Sequence, residues 1–214
     1  MNEKPVRPAP PAWPPGAPAG PDGLARCPWA LADPLSMAYH DLRWGRPEPD
    51  DDGLFRMLVL EGMQAGLSWS LILKKEAAIV EAFEGLTIDR VASFGPEKVA
   101  GIMGNPGVIR NRAKIASAIG NARACQALAA EYGSLSGYLW SYVGHRPVVN
   151  PWENMGDIQA TTALSDRLSR DLKKRGFKFV GSTITYSFMQ AVGMVNDHLA
   201  GCAFRFPGGG PQSP

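Results

Sequence analysis

Four of the six cysteines and histidines in the chain form two pairs that lie far apart in the sequence. Cys27 and His40 stand near the front, and His198 and Cys202 stand four residues apart near the end. Residues four apart share one face of a helical turn, and thiolates and imidazoles are the ligands that Zn²⁺ prefers. The pattern predicts a closed, structural Cys2His2 zinc site that ties the two segments together. The alternative is four unrelated residues, each packed or hydrogen-bonded in the core.

Glu61 is a carboxylate at a position where the helical pattern calls for an apolar residue. It follows Leu54 by seven residues and Leu58 by three, which places it on the apolar face of its predicted helix. An ionised carboxylate is costly to bury unless a charge, a metal or good hydrogen bonds compensate it. The position therefore indicates a site for a cationic or donor-rich ligand. Alternatively, the carboxylate reaches solvent past Gly62 or forms an internal salt bridge.

Four aromatic residues lie near these candidate site residues in the sequence, namely Trp29, Tyr39, Trp44 and Trp69. Aromatic faces stack on flat molecules and attract cations. Flat rings beside a buried carboxylate therefore suit a flat, positively charged ligand, such as a modified nucleobase. The alternative is that the rings belong to the core.

Two short segments carry clustered basic residues. The segment 105–114 contains a Pro-Gly turn into a predicted helix, with Arg110, Arg112 and Lys114 close behind. Free N–H groups at a helix start and basic side chains can hold a DNA phosphate, with Gly107 in the turn. A Pro-Gly helix start and a solvated basic face are also common without any DNA contact. The same two interpretations apply to the second cluster, Lys173, Lys174, Arg175 and Lys178.

The composition is that of an ordinary globular protein, with 45% hydrophobic residues and a net charge of +2. We therefore expect a polyanionic partner to be met by a local basic face. No apolar run approaches the roughly 20 residues of a membrane span, and three cysteines do not suggest a disulfide framework, so we expect a cytoplasmic protein. Proline-rich residues 1–25 and residues 207–214 are predicted to be flexible tails around a single domain, 26–206.

Apolar residues recur mainly at helical spacing, which predicts an all-α domain. One helix is predicted to be capped by Asp51 or Asp52 and to carry Glu61, and the next to be capped by Ser68. A third is predicted to begin near Pro106-Gly107 and to run through Leu128.

A fourth helix is predicted from Leu164 to the basic residues 173–175, with Gly176 as its stop signal. The segment 177–188 is ambiguous. Its alternating apolar residues suit a short strand, whereas Gly181-Ser182 before an apolar run suits a capped helix.

Several uncommon sequence words occur between Arg26 and Cys202. They are Arg26-Cys27-Pro28-Trp29, Ala38-Tyr39-His40-Asp41, Trp44-Gly45, Leu60-Glu61-Gly62, Gln64-Ala65-Gly66-Leu67-Ser68-Trp69, Lys174-Arg175-Gly176-Phe177-Lys178-Phe179-Val180-Gly181 and Val195-Asn196-Asp197-His198. Together they resemble the 3-methyladenine DNA glycosylase I family over nearly the whole predicted domain.

The resemblance implies an all-helical helix-hairpin-helix DNA glycosylase domain, with residues 105–114 in the hairpin position. It implies that Glu61 and Tyr39 hydrogen-bond an extruded base, that Trp69 stacks on the base, and that Trp29 is a pocket wall. The four residues that match its structural zinc ligands are Cys27, His40, His198 and Cys202. The hairpin lacks the second glycine and the later catalytic aspartate of the wider superfamily, so the usual general base is missing.

The function implied is that of a monofunctional glycosylase, acting as a monomer on double-stranded DNA that carries 3-methyladenine and leaving an abasic site. Glu61 is its expected catalytic residue, and Leu67, after Gly66, is expected to fill the gap left by the flipped nucleotide. A lyase-type mechanism, in which a lysine forms a Schiff base, stays open because Lys114 lies near the hairpin. The alternatives are a glycosylase with a broader range of alkylated purines and a non-catalytic, zinc-stabilised module that binds damaged DNA.

Overall fold

The computed structural model describes residues 19–206, and the predicted tails before and after this range lie outside the described residues. The described chain is helical, with two short strands, and none of its helices is long and apolar enough to cross a membrane. The elements are α1 (Pro34–Leu42), α2 (Asp51–Gln64), α3 (Trp69–Ala82), α4 (Ile88–Ala92), α5 (Pro96–Gly104), α6 (Arg112–Tyr132), α7 (Leu135–Ser141), β1 (Val148–Val149), α8 (Ala163–Lys174), α9 (Ser182–Ala191) and β2 (Val195–Asn196), with 3₁₀ turns at Pro28–Ala32 and Met155–Asp157. The predicted all-α fold class is confirmed.

Residues 19–25, which the sequence assigns to the tail, form a turn that is attached to the domain. Ala19 and Ala25 form an antiparallel bridge, and the Ala203 N–H donates to the carbonyl of Ala25 at 3.0 Å. Arg26 is buried and pairs with Asp22 at 2.6 Å. The folded part therefore extends beyond the predicted boundary at residue 26.

Helix α2 is the central helix and carries Glu61. It contacts α3, α6, α7 and α9, and residues on all its faces are buried. Its cap is Asp50, whose carboxylate accepts from the Gly53 N–H at 2.8 Å, so the predicted caps were one or two residues late. The next two aspartates bind the first turns of other helices instead. Asp51 accepts from the N–H groups of Leu135 and Ser136, and Asp52 accepts from that of Ile88.

Helix α6 begins at Arg112, later than the predicted start at Pro106-Gly107. The Asn105 side chain accepts from the Gly107 N–H at 2.8 Å, and Lys75 donates to the carbonyls of both Pro106 and Gly107. These bonds use backbone groups that a helix would need, so the segment 105–111 forms the connection between α5 and α6. The Asn111 side chain then caps α6 by accepting from the Lys114 N–H at 3.1 Å.

Helices α3, α8 and α9 agree closely with the sequence predictions. Helix α3 is capped by Ser68 as predicted, and α8 ends before Gly176, which adopts a φ of +88°. Of the two interpretations of 177–188, the helix is confirmed, because α9 begins at Ser182 after Gly181. The strand interpretation was wrong: Phe177 and Val180 are buried in the loop that leads into α9.

Candidate active site and metal cluster

The four predicted metal ligands meet in one buried cluster. The ligand atoms of Cys27, His40, His198 and Cys202 all lie within 4.8 Å of one another. Cys202 Sγ lies 3.5 Å from His40 Nε2 and 3.4 Å from His198 Nδ1, and the two nitrogens lie 3.1 Å apart. Zn–S bonds of about 2.3 Å and Zn–N bonds of about 2.0 Å would place tetrahedral ligands roughly 3.3–3.8 Å apart. The cluster therefore has the size of a Cys2His2 metal site.

Each histidine of the cluster has a partner for its second ring nitrogen. His40 Nδ1 lies 2.8 Å from Asp41 Oδ1, and Asp41 in turn accepts three hydrogen bonds from the buried Arg26. His198 Nε2 lies 3.2 Å from the carbonyl oxygen of Trp44. Such acceptors fix the ring so that the opposite nitrogen can bind a metal, so the donor set is oriented as a metal site requires.

The cluster also supports two aromatic rings. Trp29 packs edge-on against His40 with 5.2 Å between the centroids, and Trp44 packs against His198 at 4.6 Å. The two indoles contact each other at 5.0 Å. The position of both rings therefore depends on the metal-ligand set.

These indoles form part of a cavity of about 310 Å³, which is within the size range of small-molecule sites. The sequence-predicted base-binding residues Trp29, Tyr39, Glu61 and Trp69 all line it. The other lining residues are Trp44, Gln64, Met155, Ile158, Ser187 and Gln190. The ring centroids of Tyr39 and Trp69 lie 5.2 Å apart, so the cavity has aromatic walls on more than one side.

Glu61 lies in this cavity as a buried carboxyl that forms no ion pair with any described residue. It is 4% exposed, and its Oε2 has no hydrogen-bond partner among the described residues. Burial raises the pKa of Glu61 to about 8. The indole N–H of Trp69 is likewise buried without a partner. Unpaired polar atoms are costly in a protein interior, so the cavity is arranged for a ligand that pairs them.

Tyr39 places a phenol beside this carboxyl. Burial, followed by the charge of Glu61, raises the pKa of Tyr39 well above its usual value. Its hydroxyl lies 4.0 Å from Met57 Sδ, which is a weak acceptor. Tyr39 therefore stays protonated and can act as a neutral hydrogen-bond donor towards a bound ligand.

Some lining residues were missed in the sequence. Gln64 follows Glu61 by three residues on α2, so helical spacing could have placed it on the same face. Ser187 and Gln190 are spaced three apart near the end of α9, in a segment whose secondary structure was ambiguous. Met155 and Ile158 come from the connection between β1 and α8, where the sequence carries no periodic signal.

The predicted DNA-contacting residues divide into two groups. Arg110 and Arg112 are exposed and make no ion pair with any described residue. Lys114 is 6% exposed, and its ammonium donates to the carbonyls of Met63 at 2.9 Å and Ala65 at 2.6 Å. The prediction that Lys114 contacts DNA was wrong, because this lysine instead fastens α6 to the end of α2. Lys114 is also not among the described residues that line the cavity.

Leu67 stands on the turn that Lys114 supports. Gly66 has a φ of +74°, and Leu67 is 37% exposed between α2 and α3. An exposed leucine on a fixed turn is the geometry expected of an apolar wedge.

In the second basic cluster, Arg175 pairs with Glu131, whereas Lys173, Lys174 and Lys178 are exposed.

Comparison with known proteins gives one consistent result. Residues 29–206 match the family model for methyladenine glycosylase. The chain is 46% identical over 188 residues to DNA-3-methyladenine glycosylase 1 of Escherichia coli K12, covering 88% of this chain and 100% of that protein. A solved structure of 3-methyladenine DNA glycosylase I from Staphylococcus aureus, which describes 3-methyladenine recognition, is 35% identical in sequence to this chain. The two structures match with a TM-score of 0.82, and the match covers 85% of this chain and 96% of that one. A variant glycosylase I solved in complex with 3-methyladenine matches with the same identity and TM-score over 85% and 97%.

We predict that Glu61→Gln stabilises the protein increasingly as the pH rises from 5 to 8. The folded protein keeps the Glu61 proton up to about pH 8, whereas the unfolded chain loses it near 4.5, so wild-type stability falls across this window. The gain of the glutamine variant should grow by on the order of 3 kcal/mol, measured by urea unfolding at both pH values. Glu81→Gln, on the exposed end of α3, serves as control. An equal gain at both pH values would contradict the prediction.

Proposed function

Since the chain belongs to the methyladenine glycosylase family, we propose that it removes 3-methyladenine from alkylated double-stranded DNA. The reaction is hydrolysis of the N-glycosidic bond, and it leaves an abasic site for base excision repair. One observation supports this function best: the buried, unpaired Glu61 carboxyl inside an aromatic cavity. A cationic, flat base supplies the positive charge that this carboxyl lacks and can stack on the aromatic rings of the cavity.

The substrate's own chemistry explains why the cavity holds so little acid–base machinery. Methylation at N3 gives the adenine in DNA a positive charge and weakens its bond to deoxyribose. The base then leaves as a neutral molecule, so no acid is needed to protonate it. Among the described residues that line the cavity there is no histidine, lysine or arginine, and Glu61 and Tyr39 are its ionisable groups.

We assign each cavity residue a role in holding the extruded base. Trp69 stacks on the base and Trp29 forms a wall, while Tyr39 and Glu61 hydrogen-bond its edge. Glu61 ionises when the cationic base enters, because that charge offsets the burial that raises its pKa to about 8. The ionised carboxylate also stabilises the cationic sugar that develops as the bond breaks. Glu61 thus acts through recognition and electrostatics rather than as the base that activates water.

Extrusion of the nucleotide requires contacts on the DNA side of the cavity. We propose that Leu67, on the turn at Gly66, fills the gap in the stack. The connection between α5 and α6, with Gly107 and the exposed Arg110 and Arg112, holds the phosphate backbone. Lys114 contributes indirectly, since it joins α6 to the turn that carries Leu67.

We further propose that the cysteine–histidine cluster binds zinc through Cys27, His40, His198 and Cys202. Zinc bound by four protein ligands supplies structural cross-linking and has no open position for substrate. The ligand residues hold Trp29 and Trp44 at the cavity wall. The cluster therefore acts on base binding through the shape of the cavity.

Base release from methylated duplex DNA tests the proposed function. Wild type and Glu81→Gln should release 3-methyladenine without strand cleavage, and Glu61→Gln should lose at least roughly a hundredfold in kcat/KM, because the charge-stabilising group is gone. The released bases are separated by chromatography, and thermal melts verify folding. DNA binding by a folded wild type without release of any base would favour the binding module. Undiminished release of several alkylated purines by Glu61→Gln would favour a broader-range glycosylase.

The DNA contacts are tested by the salt dependence of binding. Arg110→Ala and Arg112→Ala should each reduce the slope of the logarithm of the DNA-binding constant against the logarithm of salt concentration by about 1. Arg90→Ala, which removes an arginine paired with Glu84, should leave this slope unchanged.

Lys114→Met should instead lower the free energy of unfolding by about 1–3 kcal/mol, because two carbonyls lose their donor. A lower salt slope for a folded Lys114→Met, with none for the two arginines, would contradict the assignment.

Metal content tests the cluster. Wild type and Cys125→Ala, which removes a buried cysteine outside the cluster, should carry one zinc per chain by elemental analysis. Cys202→Ser should carry far less, and removal of zinc by a chelator should lower Tm and change the tryptophan fluorescence, since two indoles pack on the ligands. Zinc-free wild type with unchanged melting would contradict the proposal.

A further inference from the structure

The two segments that the proposed function places against DNA each lead into a helix. The wedge turn, residues 65–68, carries the exposed Leu67 and precedes α3. The phosphate loop, residues 105–111, carries Arg110 and precedes α6, whose first residue is Arg112. The apolar wedge and the basic side chains come from different segments of the chain. Simultaneous contact of both with one duplex therefore requires that the two segments are held at a fixed distance.

Each of these segments is held by a lysine of the helix that follows the other one. Lys114 of α6 donates to the carbonyl of Ala65 in the wedge turn at 2.6 Å. Lys75 of α3 donates to the carbonyls of Pro106 at 2.9 Å and Gly107 at 3.0 Å in the phosphate loop. The wedge turn follows α2 and the phosphate loop follows α5, and a cation is favoured at the carbonyl end of a helix. The two lysines thus join the segments in both directions.

The contacts of Lys75 show that it holds the phosphate loop rather than neutralising a carboxylate. It is half-buried and forms no ion pair with any described residue, since the neighbouring Glu76 pairs with Arg43. Helix α3 also approaches the loop closely at Gly107, where a Cβ atom would lie 3.0 Å from the Cβ of Ala78. Ala78 follows Lys75 by three residues, so both lie on the face of α3 that meets the loop.

We propose that Lys75 is a positioning residue, which holds the phosphate loop at the distance from the wedge turn at which Leu67 fills the stack while Arg110 binds a phosphate. Two of the three N–H donors of Lys75 are used by carbonyls, so the lysine acts through the loop. A displacement of about 1 Å far from the reacting atoms can cost on the order of a hundredfold in rate. This inference rests on the proposed function and adds the residue that couples the wedge to the phosphate contacts.

Lys75→Met tests the inference, with Lys74→Met as the matched control. Both variants remove one positive charge from α3, but Lys74 is exposed and makes no hydrogen bond with any described residue. Lys75→Met should lower kcat/KM for release of 3-methyladenine from duplex DNA at least roughly tenfold, whereas Lys74→Met should stay near wild type. Thermal melts verify that both variants are folded. Equal losses in the two variants would show an effect of charge alone and would overturn the inference.

A background in which Arg110 and Arg112 are both replaced by alanine separates positioning from other roles. If Lys75 acts through the phosphate contacts that its loop presents, Lys75→Met should change kcat/KM less than about twofold in this background, because the two effects are not additive. A direct contact of Lys75 with DNA, or a general loss of stability, would lower kcat/KM by the same factor in both backgrounds. That result would overturn the inference.

A second variant keeps the inference testable if Lys75→Met does not fold. Ala78→Val enlarges the face of α3 that meets Gly107, so it displaces the phosphate loop without removing a charge or a hydrogen bond. It should reproduce the loss in kcat/KM, again only where both arginines are present. An undiminished kcat/KM in folded Ala78→Val and in folded Lys75→Met would overturn the inference.

Binding of a labelled methylated duplex, followed by fluorescence anisotropy, separates this inference from the proposed function. Wild type that binds DNA without releasing any base contradicts the proposed function. If Lys75→Met then weakens binding and Lys74→Met does not, and the difference disappears in the background without the two arginines, the inference holds. If wild type releases 3-methyladenine and Lys75→Met binds and releases like wild type, the inference fails and the proposed function stands.

Discussion

The site depends on one constraint: a carboxyl on the central helix is buried, and no described residue forms an ion pair with it. Glu61 lies in a cavity lined by aromatic residues, and its Oε2 has no partner among the described residues. A protein accepts this cost at a position where a ligand removes it. The aromatic rings around Glu61 strengthen any charge interaction by excluding water, so the same burial that destabilises the free protein favours a cationic base over a neutral one.

The rest of the fold holds the walls of this cavity in place from several distant segments. The cysteine–histidine cluster joins residues near both ends of the domain and supports two indoles. Three consecutive aspartates, Asp50 to Asp52, fix the starts of α2, α7 and α4. Lys114 fixes the turn beyond the end of α2. Each of these groups uses charge or polarity inside the domain, which orders the elements around the base site.

The sequence predicted the groups whose residue type conflicts with, or stands out from, the local pattern. Glu61 interrupts an apolar face, and four of only six cysteines and histidines form the cluster. Prediction from the sequence failed where the placement of a side chain depends on tertiary contacts. Lys114 has the same sequence context as an exposed basic residue, and its burial follows from carbonyls of residues far away in the chain. The orientation of Gln190 likewise depends on Asp197, which no local pattern connects with it.

The most direct measurement is the ionisation of Glu61 itself, followed through its labelled side-chain carboxyl carbon by NMR. In the free protein the account predicts a midpoint near pH 8 for the Glu61 carboxyl, caused by burial. Addition of a cationic N-methylated purine should shift the midpoint well below 7, because the bound charge replaces the lost solvation. A midpoint near 4.5 in the free protein, unchanged by the cation, would contradict the central role of this buried carboxyl.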